Sequence, residues 1–376
     1  MKDVSMKSTI SDIQLYVENQ IPEIAKTKKL LAGSIGESPS KYSRSPGMWN
    51  AVFDGLDFDA AYVPFDVRPE NLSNFINALK NYPGFMGANV TVPYKLAIMD
   101  LLDSIDSTAR QIGAVNTFAL NSDMTMTGFN TDADGLIASM LLRLPSEVEP
   151  FIPTLEGKNV LLLGAGGAGR AAAFAIAKNI KGGALLMTNR SLQRVEDLVS
   201  EVNLTAENGT RIVAIGQNMI GQNVHDVDLI VNASTVGQSG IRSLPDNFLT
   251  SLEPFSSLAP ANPPEVPDPG DSSLFWQQWF SLSYPEITSN NHESMEAISS
   301  TKSTAAFVDA IYSPSETVLL RQARLSGRKT LNGRGMLIMQ AASSFVNRMT
   351  RRHLENAGYN PDSLYDFVVE TMSDAF

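Results

Sequence analysis

Two stretches of this 376-residue chain hold residue types that could do chemistry. The first is "GANVTVPYK", residues 87–95, where Ala88, Val90 and Val92 alternate with Asn89 and Thr91 as in a half-buried strand that meets Pro93 and stops at Lys95. A lysine pushed over the lip of a strand needs a partner if it is to act chemically. "GFNTDADG" supplies Asn130 and Asp132 in a polar turn after a strand, and "GAVNT" places Asn116 at the end of another. Asn89, Thr91, Lys95, Asn116 and Asp132 therefore read as one polar rim at the carboxyl edge of a sheet, where α/β proteins bind small ligands.

The second stretch is "NVLLLGAGGAGRAAAFAIAK", an apolar strand, a glycine turn and an Ala-rich helix. Gly164, Gly166 and Gly169 match G-x-G-x-x-G at the mouth of that helix, and with Gly167 and Ala168 they form a turn whose amides can face a pyrophosphate. A carboxylate after the next strand would accept from a ribose hydroxyl but repel a 2′-phosphate. Here the sequence is Thr188-Asn189-Arg190-Ser191, with Arg194 one turn on. Guanidinium groups suit a phosphate and an adenine face, so NADP is favoured and NAD is the alternative.

The elements that must position these groups follow from composition and periodicity. A chain of 376 residues exceeds the ~250–300 at which single cores stop growing, so two lobes are expected. With 43% apolar and 18% charged residues, the composition is that of a globular protein, and no run reaches the ~18 apolar residues of a bilayer span. The N-terminus lacks a secretory apolar core, so a cytoplasmic location is expected. There are no cysteines and only three scattered histidines, so disulfides, thiolate chemistry and a metal cluster are not expected. A net charge of −11 argues against nucleic acid as a ligand.

Strand-like runs at 30–35, 60–65, 84–92 and 114–120 alternate with helical patterns at 47–54, 71–81 and 95–102, which makes the first lobe α/β. "SEVEPFIP" then reads as a linker. "ALLMTN" and "DLIVNAS" are buried strands of the parallel kind. From about 240 to 302, proline, serine and acidic residues predict a long irregular insertion, although the aromatic "LFWQQWFSL" within it is expected to pack.

"YSRSP", "GANVTVPYK", "IGAVNT", "GFNTDADG", "GAGGAGR", "TNRSLQR", "NAST", "YSPSETVLL" and "GRGMLIMQAA" occur in the order found in the shikimate dehydrogenase family, which includes quinate/shikimate dehydrogenases. The chain resembles that family over roughly 30–240 and 305–350. The resemblance implies an α/β fold: an N-terminal α/β substrate domain, 30–135, with helices from about 338 packing back on it, and a Rossmann-type NAD(P)-binding domain, 136–337, that carries the insertion. Residues 1–29 form an extension without an assignable counterpart.

By the same resemblance, Ser43 and Ser45 match serines that hold the substrate carboxylate, and Tyr312 matches a tyrosine near it. Thr91, Asn116 and Gln340 match groups that bind the ring hydroxyls and position the substrate, while Gly335 joins the cofactor-binding set. Lys95 and Asp132 match the catalytic pair. An ammonium at hydrogen-bond distance can stabilise a developing alkoxide and deliver its proton, with the carboxylate orienting it. Ser45 also suits a plain helix cap before Pro46.

The activity implied is NADP-linked interconversion of 3-dehydroshikimate and shikimate, with quinate the nearest alternative and a non-catalytic metabolite sensor the alternative of another class. The expected partner is a small molecule of the shikimate or quinate type, without membrane or nucleic acid; a homodimer is compatible with this reading. The chain departs from relatives at Trp49, where many have histidine, and at Tyr94 before the lysine. The change at Trp49 is expected to enlarge an apolar wall near the serines.

Overall fold

The computed structural model describes residues 7–376 except 146, 207 and 208. The chain divides into two compact units, one formed by the chain up to Ala138 with Arg143–Val148 and Leu337–Phe376, the other by Ser139–Leu142 and Glu149–Met336. The linker read at 146–153 includes residue 146, outside the described residues; its other residues form no helix or strand.

The first unit is built on β1 (Leu30–Gly36), β2 (Ala60–Asp66), β3 (Phe85–Val90), β4 (Ser104–Ile105), β5 (Thr117–Leu120) and β6 (Met126–Phe129), in the order β2-β1-β3-β5-β6-β4. Strand alternation sorts two cores. Leu31, Ile35, Ala61, Val63 and Phe65 face one, and Ala32, Ala60 and Tyr62 face the other. Ile13, Val17, Ile21 and Ala25 of the N-terminal extension fill the first core, so the extension is part of the unit. Helix Ser45–Gly55 and the C-terminal helices close the second through Trp49, Phe53, Ala342, Phe345, Val368 and Met372.

The helix expected at 95–102 is a 3₁₀ turn, Ala97–Leu101, because the segment is too short and too tightly tied at its ends to complete α-helical turns. The strand expected at 114–120 begins only at Thr117 and runs antiparallel to β3, with Asn89 opposite Thr117. Asn116 thus stands at the start of a strand, while Lys95 and Asp132 follow the ends of β3 and β6. The alternating sense of β3, β5 and β6 still brings all three to one rim.

The second unit contains an all-parallel sheet of β7 (Asn159–Leu163), β8 (Ala184–Thr188), β9 (Arg211–Ala214), β10 (Leu229–Asn232), β14 (Ala306–Asp309) and β15 (Lys329–Leu331), in the order β15-β14-β10-β7-β8-β9. β7, β8, β10 and β14 are almost wholly buried, as their continuous apolar runs require.

The insertion is not the irregular segment expected. It carries an antiparallel sheet of β11 (Arg242–Leu244), β12 (Phe248–Thr250) and β13 (Val266–Pro267), then a 29-residue helix, Ser272–Ser300. Its longest stretch without helix or strand is residues 251–265. The helix is masked in sequence because its buried face is partly polar. Asn290, 2% exposed, donates to the carbonyls of Ser256, Ala259 and Pro260 and accepts from the Ser256 amide, so the irregular segment is satisfied by the helix beneath it. Asp271 caps the helix by accepting from Ser273 N and Leu274 N, and Pro285 lies inside it.

Candidate active site

The rim in the first unit is assembled from three connections. Thr91 N donates to Ile35 O, and Tyr94, 3% exposed, anchors the following turn by donating its hydroxyl to Val67 O at 2.6 Å. Burial, reinforced by Glu37 and Glu70, pushes the Tyr94 hydroxyl up to about 12. It is therefore a neutral donor at ordinary pH. The next residue, Lys95, accepts Val115 N on its carbonyl, which fixes where its side chain leaves the backbone.

Lys95 Nζ donates to Asp132 Oδ2 at 2.5 Å, with the lysine side chain 20% and the aspartate 4% exposed. Asp132 opens helix Asp132–Leu141, and Asn130 accepts its amide at 3.1 Å. The other oxygen, Asp132 Oδ1, accepts Asn116 Nδ2 at 2.8 Å. Asn116 also donates to Gln340 Oε1 at 3.2 Å and to Thr131 Oγ1, and accepts Thr131 N at 2.7 Å. Lys95, Asp132, Asn116 and Gln340 are thus one hydrogen-bonded group. A carboxylate this buried is tolerable because an ammonium and an amide hold both its oxygens.

Beneath that group lies a second network that sequence reasoning missed. Tyr62 Oη donates to Asn89 Oδ1 at 2.8 Å, and Asn89 Nδ2 donates to Thr117 Oγ1 at 2.7 Å and Ser344 Oγ at 3.0 Å. Tyr62 is wholly buried, and that burial pushes its ionisation upward. The signal available was spacing: Ser344 is one helical turn beyond Gln340.

Ser43 and Ser45 are half-buried at the start of helix Ser45–Gly55. The capping alternative fails, since the cap is Arg44, Ser45 is already helical, and Ser43 Oγ accepts Ser45 N at 3.3 Å. Trp49 is not the wall expected: fully buried, it stacks on Tyr62 at 4.7 Å and meets Phe345 at 5.1 Å, a core residue behind the network. Tyr312 belongs to the second unit, half-buried in the loop after β14.

The second unit holds the glycine turn. Gly164 has φ +109°, and a Cβ there would lie 2.8 Å from Ser234 N; one on Gly169 would lie 2.3 Å from Gly164 O. A Cβ on Gly166 would meet nothing within 4 Å, so the mouth of helix Gly167–Asn179 is open space. No side chain caps that helix, which leaves its first amides to face an anion. Thr188 Oγ1, at the end of the adjacent β8, is buried without a partner among the described residues. Asn189 and Ser191 shape the next turn, with Ser191 Oγ accepting Arg194 N. Arg190 and Arg194 are exposed and form no ion pair among the described residues. Gly335 is buried in the first turn of helix Arg334–Ser344. An open helix mouth, an orphaned hydroxyl and two unpaired guanidinium groups fit a phosphorylated dinucleotide.

Residues 35–118 match a family model described as the shikimate dehydrogenase substrate binding domain. The chain is similar to a shikimate dehydrogenase (NADP(+)) of Methanocaldococcus jannaschii, 34% identical over 323 residues that cover 85% of this chain and 91% of the relative. A solved shikimate dehydrogenase in complex with NADP+ is 30% identical, with a TM-score of 0.64 and coverage of 93% of this chain and 95% of that one. Quinate dehydrogenase from Corynebacterium glutamicum in complex with NAD is 25% identical, with a TM-score of 0.65 and coverage of 91% and 98%.

Proposed function

The chain belongs to the shikimate dehydrogenase family, and from that premise we propose that it is an NADP-dependent oxidoreductase interconverting 3-dehydroshikimate and shikimate. The observation that carries this reading is the Lys95–Asp132 pair, held in one hydrogen-bonded group with Asn116 and Gln340. A binding-only protein would not require an ammonium poised against a carboxylate at such a rim.

In this reading the glycine turn holds the pyrophosphate, and Asn189, Arg190, Ser191 and Arg194 hold the adenosine end, with the two arginines on the 2′-phosphate. Gly335 lies with the cofactor set. When bound, the reduced nicotinamide supplies a hydride to the carbonyl carbon of the ring. Lys95 Nζ stabilises the oxygen as it gains charge and gives it a proton; in the oxidative direction, the neutral amine takes that proton back. Asp132 holds the amine in line and accepts from the neighbouring ring hydroxyl. Ser43 and Ser45 take the substrate carboxylate, and Thr91, Asn116 and Gln340 fix the ring.

Quinate with NAD is the second reading, supported by the likeness to quinate dehydrogenase. Both arginines weigh against NAD as the preferred cofactor. The test is purified protein with shikimate or quinate and NADP or NAD, followed at the absorbance of the reduced nicotinamide. Rapid reduction of NADP with shikimate is expected; no reduction in any of the four combinations overturns the activity.

A further inference from the structure

The insertion packs on one loop of its own unit. Residues 233–240 follow β10, and the start of this loop lies on the glycine turn: Ala233 N donates to Leu163 O at 2.8 Å, and the space beside Gly164 is closed by Ala233 and Ser234. From the insertion, Arg242 donates to Thr235 O at 3.3 Å and Gln238 Oε1 at 2.7 Å. Glu253 Oε2 accepts Gly240 N at 3.2 Å, Ser251 Oγ donates to Gly240 O at 3.1 Å, and Gly237 N donates to Leu252 O at 3.0 Å. The last five of these bonds join the loop to residues 242–253 of the insertion.

Packing repeats the pattern. Phe255, Val266, Phe275 and Trp279 form a small core, and Val236 of the loop packs against it. Gly237, at φ +97°, has Thr317 Cβ 3.2 Å from where its own Cβ would stand, so the loop has no slack on that side. Its far end is tied to the loop after β14, where Ser239 N donates to Ser313 O at 3.0 Å. Arg242 Nε is buried without a partner, and the guanidinium has no carboxylate among the described residues. Its polar contacts go to the loop.

We propose that the insertion is a brace: it holds the loop at 233–240 against the glycine turn, with Arg242 as the positioning residue, and so sets the affinity of the cofactor site. This rests on the reading of that turn as the NADP site. An unbraced loop would sample more conformations, and NADP binding would have to order it first, at a cost in affinity.

The experiment measures NADP binding by fluorescence titration, alongside KM, kcat and thermal unfolding, in the full-length protein. For Arg242→Ala the dissociation constant for NADP is expected to rise about tenfold, equivalent to ~1.4 kcal/mol, with the melting temperature close to that of the wild type. KM for NADP should follow, while kcat at saturation changes little. Glu253→Gln keeps an acceptor for Gly240 N and should bind like the wild type, whereas Glu253→Ala should weaken binding. If Arg242→Ala melts early, Gln238→Ala removes the same contact from the exposed loop side and carries the test. Unaltered NADP affinity in a normally folded Arg242→Ala or Gln238→Ala variant overturns the brace. Wild-type protein that binds NADP but leaves shikimate untouched overturns the proposed reaction and not the brace; protein that binds no NADP overturns both.

Discussion

At the scale of residues, the proposed reaction turns on one ammonium, Lys95 Nζ, which is held by Asp132 Oδ2. Asp132 is 3% and Asn116 4% exposed, so Lys95 cannot drift to solvent without leaving a buried carboxylate half-satisfied. Lys95→Met should lower turnover by about 10²–10⁴-fold, the usual worth of a positioned proton donor, while NADP affinity measured by titration stays near wild type. Turnover within threefold of wild type would remove Lys95 from the chemistry. The cofactor end has an equally local expectation. Replacing both Arg190 and Arg194 by alanine should raise KM for NADP by about 10–100-fold and leave KM for NAD nearly unchanged, since a charge-assisted phosphate contact is worth ~1.5–3 kcal/mol. An unaltered ratio of the two KM values would place the discrimination elsewhere.

Elements differ in how openly the sequence displays them. The strands beside the glycine turn are buried on both faces and read as apolar runs, and a mandatory open space at Gly166 accompanies a recognisable spacing of glycines. The polar rim was legible as a set of residues, Lys95, Asn116 and Asp132, but not the direction of β5, because alternation encodes which face a residue occupies and not the sense of the strand. Tyr62 and Ser344 stayed hidden since a tyrosine and a serine in apolar stretches read as core until their partners are known. Helix Ser272–Ser300 was hidden by Pro285 and by Asn290 and Ser294 on its buried side. One short element carries a pH dependence. His353, in helix Arg351–Asn356, is held down to about 4 by burial and then by Arg352. The unfolded chain binds this proton from about pH 6.5 downward and the folded chain only near 4, so stability falls as pH drops through that window. Buried Asp309, pushed up to about 6 by burial, acts in the opposite sense, taking its proton more readily when folded. His353→Gln should therefore flatten the loss by about 1–2 kcal/mol between pH 6.5 and 4, allowing for the solvent the ring still meets, in denaturant titrations at a series of pH values. A variant whose stability tracks the wild type across the window would deny His353 that role.

For the whole molecule, the division of labour follows from the division of the core. Lys95, Asp132, Asn116, Gln340, Thr91 and the two serines belong to the first unit, while the glycine turn, both arginines and the braced loop belong to the second. Each unit has its own packed interior, so each can register its ligand separately. Hydrogen exchange of backbone amides can read this directly. NADP alone should slow exchange at the first turn of helix Gly167–Asn179 and around Ser191–Arg194, where amides now lack partners or lie exposed. Shikimate alone should slow it around residues 91–95 and 43–45, leaving the glycine turn unchanged. At a ligand concentration 100 times the dissociation constant, the stabilisation of a binding unit is ~2.7 kcal/mol, enough to slow exchange about a hundredfold wherever it requires opening of that unit. Protection by NADP confined to the first unit, or by shikimate confined to the second, would contradict the assignment of both sites. Protection by each in its own unit would support them independently of any turnover measurement.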